Sequence, residues 1–294
     1  MATFDASKIK LPFMKYRIGA LCISGLAILL SLVLLLTKGV NFSVDFAGGV
    51  AIQLQFENPV DVGSIRGTLS ASELSQATIQ AYDDRNILIR YQDSGDDTRK
   101  EMIKLLGEKH GKFEISQIDN VGPVVGRELR KQAFIAVSLS IVGILLYMAV
   151  RFSFRFGMAA VISLVHDSII MLGIYSLTGR EISTSFIAAI LTVIGYSLND
   201  SIVVLDRIRE NWKQFGSRGI LELVNSSINQ TLSRTINTSL TTLIPVLAMF
   251  FLGGEVISNL AFAFLVGIVV GTYSSIYIAS SILAEWYLRR PLKG

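Results

Sequence analysis

Two carboxylates and a guanidinium stand where the surrounding sequence is built for hydrocarbon. From Ile182 to Leu205 the chain reads as a membrane span in which Asp200 is the sole charged side chain, and the stretch G-Y-S-L-N-D-S-I-V-V-L-D-R-I-R-E-N from Gly195 to Asn211 closes it with a charged collar. A carboxylate at that depth is costly, so it marks a functional site by default. On a helix, Ser197, Asp200, Ser201 and Val204 share one face. The next apolar run carries Gln230, Arg234, Asn237, Thr238, Thr241 and Pro245 at helical spacing, a polar stripe headed by Arg234. If the two helices form a hairpin turning near Ser217, Asp200 and Arg234 meet at similar depth. Desolvation favours the neutral acid and a nearby guanidinium favours the ionised one. A carboxylate that Arg234 approaches and leaves can therefore load and release a proton. The competing reading is a static ion pair that only fixes helix packing.

A second pair, His166 and Asp167, lies near the middle of another apolar run, with Ser163 one turn earlier. Asp167 reads either as a second stop on a proton path or as a polar clasp between helices. His166 is titratable near neutral pH, or is a neutral ring making an interhelical hydrogen bond. In the last apolar run Gly267, Gly271, Ser275 and Ala279 make a small-residue ladder, a surface for close helix packing.

The elements that must position these groups follow from composition. The chain has 294 residues, 51% hydrophobic and 17% charged, with a mean hydropathy of +0.53. That is too apolar for an ordinary soluble domain. Six runs are long enough to cross about 30 Å of hydrocarbon at roughly 1.5 Å per residue: about 18–37, 132–150, 156–178, 182–205, 235–252 and 256–284. Residues 39–131 hold 11 Lys and Arg against 14 Asp and Glu, so the net charge of +4 conceals a negative segment and a basic membrane part. Lys and Arg gather in alternate short connections, which predicts that both termini are cytoplasmic and that 39–131 faces outward. A basic balance of this kind speaks for positive-inside loops and against nucleic acid as a partner.

The predicted architecture is a polytopic α-helical membrane protein with six transmembrane helices and an α+β, ferredoxin-like periplasmic domain between helices 1 and 2. Its expected divisions are a cytoplasmic tail (1–17), the first span (18–38), the periplasmic domain (39–131), five further spans within 132–284 with a cytoplasmic loop about 206–234, and a second cytoplasmic tail (285–294). Inside the domain, alternation and helical spacing predict a strand at Val50–Glu57, a helix at Val60–Leu69, strands at Gln76–Tyr82 and Asn86–Tyr91, a helix at Thr98–His110 and a strand at Phe113–Ile118. That order, β-α-β-β-α-β, is the split βαβ arrangement. Gly122–Lys131 reads as a helical lead-in to the second span, and Ile220–Ser233 as an amphipathic helix lying on the cytoplasmic face.

There is no G-x-x-x-x-G-K-[ST] phosphate cradle. Two histidines, His110 and His166, and the one cysteine, Cys22, make no zinc cluster. No cofactor, metal or catalytic step is expected, and the energy for any work would come from an ion gradient or a partner.

Five stretches then resemble the SecF family, the smaller subunits of bacterial SecDF protein-translocation accessory complexes in the resistance-nodulation-division superfamily. They are V-D-F-A-G-G at 44–49, V-G-P-V-V-G at 121–126, H-D at 166–167, the long motif from Gly195, and Q-T-L-S-R-T at 230–235. The resemblance implies an inner-membrane subunit that works with SecD and the SecYEG channel, with or without YajC-type subunits, on translocating preproteins in contact with membrane lipid, driven by the proton or ion motive force. It implies that Asp200 and Arg234 belong to the proton path, with Asp167 less firmly placed there, and that Asp45, Gly48 and Gly49 form a coupling or hinge segment. Two active alternatives remain: an exporter of lipids or small molecules from the same superfamily, and an intramembrane aspartyl protease pairing Asp167 with Asp200, although neither aspartate carries a G-x-G-D or Y-D motif. A passive assembly subunit is the third.

Overall fold

A computed structural model describes residues 11–70, 74–75, 77–91, 96–212 and 219–289. Gln76, the turn around Ser217 and the basic residues Lys8, Lys10, Lys213, Arg218, Arg290 and Lys293 lie outside the described residues. The chain divides into two compact units, one ending at Asn41 and resuming at Ile135, the other spanning Phe42–Phe134.

Along the chain run α1 (Arg17–Thr37), the two-residue strand β1 (Asn41–Phe42), the single turn α2 (Val44–Ala47), β2 (Gly49–Phe56), α3 (Val62–Leu69), β3 (Thr78–Ala81), β4 (Asn86–Tyr91), α4 (Asp96–His110), β5 (Phe113–Val121), α5 (Pro123–Arg151), α6 (Phe154–Thr178), β6 (Glu181–Ile182), α7 (Thr184–Trp212), α8 (Ile220–Leu252), α9 (Gly254–Ser274) and α10 (Ser280–Arg289). A π-helical segment, Ser275–Ala279, joins the last two helices.

The second unit is a four-stranded antiparallel sheet in the order β3-β4-β2-β5, with α3 following β2 and α4 following β4. The alternation of β2 sets the face: Ile52, Leu54 and Phe56 are buried with Ile65 and Leu69 of α3 and Met102 and Leu106 of α4. Each such side chain withdrawn from water contributes roughly 1.5–3 kcal/mol. Opposite β5 the register shifts between Gln53 and Leu54, which leaves Ser116 as an extra residue in the edge strand. α3 begins at Val62, two residues later than its spacing suggests, because the Asp61 carboxylate accepts the Ser64 amide at 3.0 Å and caps the helix there. The β3–β4 hairpin is held by Asp83, whose Oδ1 accepts the amides of Arg85 and Asn86, each at 2.7 Å. The Asn86 side chain, bonded to Oδ2, and these amides hold the Asp83 carboxyl below its usual range.

Among the described residues six helices are long and apolar enough to cross a membrane: α1, α5, α6, α7, α8 and the α9-π-α10 run, taken from Ile257 to Arg289. They form the first unit, α5 from Ile135 onward. Water exclusion cannot drive these helices together inside hydrocarbon, so close approach and polar contacts must. Accordingly Gly173 of α6 takes Ser31 of α1 into the space a side chain would fill, and Gly157 sits against Met148, with 3.3 Å from an added Cβ to the Met148 Cβ. At one end of the bundle, Met148, Phe152, Leu205, Ile208, Val224 and Leu283 share one apolar cluster.

Two boundary expectations are corrected. α8 is one continuous helix of 33 residues, not a surface helix followed by a span. Leu223, Val224 and Ile228 enter the same cluster as Leu205 and Ile208, so its apolar face runs on without a break. The loop expected at 206–234 is correspondingly helical through Trp212 and again from Ile220. The charged collar lies inside α7, where Arg209 pairs with Asp206 at 3.2 Å and Arg207 with Glu210 at 3.0 Å.

His110, at the end of α4, lies 2.8 Å from the Thr68 hydroxyl and edge-on to Phe56. Burial, aided by the Lys109 charge, lowers its proton affinity below the usual 6.5. The unfolded chain therefore binds the extra proton more readily, and stability present above 6.5 falls as pH drops below that value. Amide exchange of residues 42–134 in the purified whole chain, corrected for intrinsic rates, is expected to show weaker protection at pH 5.5 than at 7.5, and His110→Gln is expected to flatten that difference.

Candidate functional site

Asp167 is the hub of the first unit. It projects from the middle of α6 and is 2% exposed. His166 Nδ1 lies 2.8 Å from its Oδ1. Its Oδ2 accepts the Ser197 hydroxyl of α7 at 2.6 Å and the Ser274 hydroxyl, from the last residue of α9, at 2.7 Å. Ser163 donates to Ser274 at 3.1 Å. Three helices thus meet on one carboxylate, and the two donors to Oδ2 come from different spans.

The glycine ladder explains how they come so close. A Cβ at Gly271 would lie 3.0 Å from Ser197 Cβ and 3.2 Å from its Oγ, and one at Gly267 would lie 2.5 Å from both γ-carbons of Val193. The small face of the last span therefore packs on α7 of the same chain. Past Ser275 the π turn breaks the ladder's period, and the Ser280 hydroxyl bonds back five residues to the Ser275 carbonyl at 3.2 Å. Such turns recur inside helices at functional sites.

Asp200 sits one turn beyond Ser197 and is also 2% exposed. Its Oδ2 has no hydrogen-bond partner, and neither do the buried hydroxyls of Ser201 and Thr235. The α7–α8 hairpin forms as the spacing requires: Asn211 of α7 donates to Ser227 at 2.9 Å and to Gln230 at 3.0 Å, and Tyr196 reaches Ser239 at 3.4 Å. That register brings Asp200 and Arg234 to similar depth. They do not form an ion pair, and Arg234 is exposed on α8. Asp167 and Asp200 share no hydrogen bond with each other either: Asp167 Oδ2 is taken by Ser197 and Ser274, and Asp200 Oδ2 has no partner.

The sequence placed Ser197 beside Asp200, whereas its hydroxyl serves Asp167. Ser274 was missed, because the ladder's period selects Ser275. Also missed was the tie to α1, where Tyr273 stacks 6.3 Å from His166 and shares its hydroxyl with Ser24, at 3.0 Å, and the Ala20 carbonyl, at 3.0 Å. No local pattern marks these residues, since each contact joins segments far apart in the chain. Among the described residues no group of three His, Cys, Asp or Glu is placed to hold a metal.

In the second unit, V-D-F-A-G-G folds as α2 followed by Gly48, at φ 77° and ψ 165°, and Gly49, at φ 111°. The first of these conformations is open to glycine alone in practice. A Cβ on Gly48 would stand 3.1 Å from the Pro123 Cα, and one on Gly126 3.2 Å from the Phe46 carbonyl oxygen and 3.4 Å from that of Asp45. The 44–49 and 121–126 motifs, distant in sequence, thus pack backbone to backbone.

Two family models cover both sites. The SecD/SecF GG motif matches residues 33–60, and the C-terminal part of the protein-export membrane proteins SecD and SecF matches residues 101–289. A protein translocase subunit SecF from Desulfurispirillum indicum is 47% identical over 94% of this chain and 91% of its own. The chain belongs to the SecF family. Other SecF-related chains carry more than this one: a protein translocase subunit SecDF of Thermus thermophilus is 46% identical over 86% of this chain but 35% of its own length. The crystal structure of SecDF from that genus, described as a translocon-associated membrane protein, superposes with a TM-score of 0.90 at 43% identity. It matches 96% of this chain, which spans 39% of that one.

Because Gly271 and Gly267 let α9 reach Asp167, Gly267→Ala is expected to destabilise the bundle by about 1–3 kcal/mol, read as a lower thermal midpoint in detergent. Gly143→Ala, where an added Cβ meets nothing within 4 Å, is expected to leave the midpoint unchanged or raise it.

Proposed function

We propose that this chain is an accessory subunit of the Sec protein-export machinery that, with SecD, uses the proton or ion motive force to drive late steps of preprotein translocation through SecYEG. It performs no catalytic step of its own. The reading puts the spans in the bacterial inner membrane with both termini cytoplasmic and the α+β unit, residues 39–131 in the sequence reading, on the periplasmic side.

The observation that carries the reading is Asp200: a carboxylate 2% exposed inside a span, with one oxygen lacking a partner, in a chain 47% identical to a translocase subunit. A carboxylate held only for packing would be expected to have its acceptors filled, since an unsatisfied buried group costs stability. Asp200 is the residue that takes up and releases the ion, and Asp167 is a further member of the same path with His166 beside it. Arg234, exposed at the depth of Asp200, approaches it as the bundle changes shape, and the guanidinium then displaces the bound proton. Moving one charge through the membrane potential supplies about 2.3 kcal/mol per 100 mV, enough to bias a two-state element. Asp45, Gly48 and Gly49 couple that change to the α+β unit. SecD is the natural partner because the Thermus relative joins both names in one chain.

The test is Asp200→Asn in cells depleted of the native chain. Export of a periplasmic reporter is expected to fall to the level of depleted cells while SecD still co-purifies with the variant. Normal export with normal assembly would contradict the reading and leave the chain a scaffold.

A further inference from the structure

The Ser197 hydroxyl is bonded to one buried carboxylate and stands one helical turn from another. It donates to Asp167 Oδ2 at 2.6 Å, it lies three residues before Asp200 on the same face of α7, and it is wholly buried. Asp200 Oδ2 has no partner. Side chains three apart on a helix are neighbours, so a turn of the Asp200 side chain brings its unpartnered oxygen to the Ser197 hydroxyl while that hydroxyl keeps its bond to Asp167. The other donor to Asp167 is placed differently: Ser274 Oγ lies 2.7 Å from Oδ2 but also 3.1 Å from the Gly271 carbonyl oxygen, so its single proton is divided between two acceptors. A side chain at position 271 would crowd Ser197, with an added Cβ 3.0 Å from its Cβ and 3.2 Å from its Oγ, so the glycine keeps the space that the hydroxyl occupies.

We propose that Ser197 is the positioning residue that connects Asp200 to Asp167, so that a proton passes between them through its hydroxyl. The step balances without a co-reactant. The Asp200 carboxylic acid gives its proton to Ser197 Oγ as the Ser197 O–H proton moves to Asp167 Oδ2. Asp200 is left ionised, Ser197 neutral and Asp167 protonated. The titratable and charged groups around this trio are His166 on α6, Tyr273 of α9 against the His166 ring, and Arg234, exposed on α8 and acting on Asp200 through its charge. The proposal rests on the ion-coupling reading above and adds to it the group that joins its two carboxylates.

The test is gradient-driven proton flux in vesicles containing the chain with its SecD partner. Ser197→Ala and Asp167→Asn are each expected to reduce flux by about tenfold or more, the scale of a lost proton-transfer group. The double variant is expected to be no slower than the worse single one, because residues acting as a unit are not additive. Ser274→Ala, which removes a donor to the same oxygen but leaves the Ser197 link, is expected to keep most of the flux. Wild-type flux in Ser197→Ala, a multiplied loss in the double variant, or equal losses in Ser197→Ala and Ser274→Ala would overturn the proposal, the last by marking a packing defect. Flux that survives Asp200→Asn would instead remove the ion-coupling reading, and the proposal with it.

Discussion

Hydrocarbon offers a carboxylate nothing to bind, so every donor that Asp167 needs must come from the protein, beyond its own helix as well as within it. That demand organises the membrane unit. Ser197 and Ser274 reach one oxygen from two spans, and they can do so only because Gly267 and Gly271 remove the side chains that would hold α9 away from α7. The π turn begins at the next residue, Ser275. A regular helix would carry the ladder's phase onward, whereas the π turn shifts it, and Ser280 and Ser281 beyond are fully buried. Polar contact and close packing are thus one arrangement in this bundle, and neither is available without the other.

The two units are stabilised by different physics. In the α+β unit, Ile52, Leu54, Phe56, Met102 and Leu106 leave water on folding, and burial of apolar area dominates. In the bundle the outward faces of α1 and α5 expose Leu26, Leu30, Leu139 and Leu146, as lipid-facing surfaces should, and specificity falls to small residues and hydroxyls. Many of the threonines and serines of α8 are spent locally: Ser227, Thr231, Thr238 and Thr241 each donate to a carbonyl one turn back in the same helix. The polar stripe is thus largely satisfied within the helix itself, which is continuous over 33 residues.

Much of this was legible in the sequence, for reasons that differ by element. The alternation of β2 from Ile52 to Phe56 follows from period-two burial. The strand Asn86–Tyr91 shows instead as a short apolar run whose Ile87, Leu88 and Ile89 are all buried. The order of the strands follows from turn residues such as Asp83, whose side chain folds the hairpin locally. Asp200 announced itself as a charge within an apolar run, and the small-residue ladder as a helix-packing face. The hidden parts are those that depend on three-dimensional neighbours. Nothing near Ser274 says that it faces a carboxylate more than a hundred residues earlier, and the helical face shared by Ser197 and Asp200 does not reveal that the Ser197 hydroxyl is bonded to Asp167. The continuity of α8 was missed because charge and polarity near Arg234 imitate a helix end, whereas burial of Leu223, Val224 and Ile228 carries the helix through.

The central claim is that Asp200 changes protonation when an ion gradient acts on the assembled membrane unit. Infrared difference spectroscopy of the chain reconstituted with SecD, recorded as a pH gradient is imposed, reads that change at the carboxyl group itself. The account predicts a carboxyl band that appears and decays with the gradient in the wild-type chain and is absent from Asp200→Asn. The same band in both proteins, or none in the wild type, would contradict it.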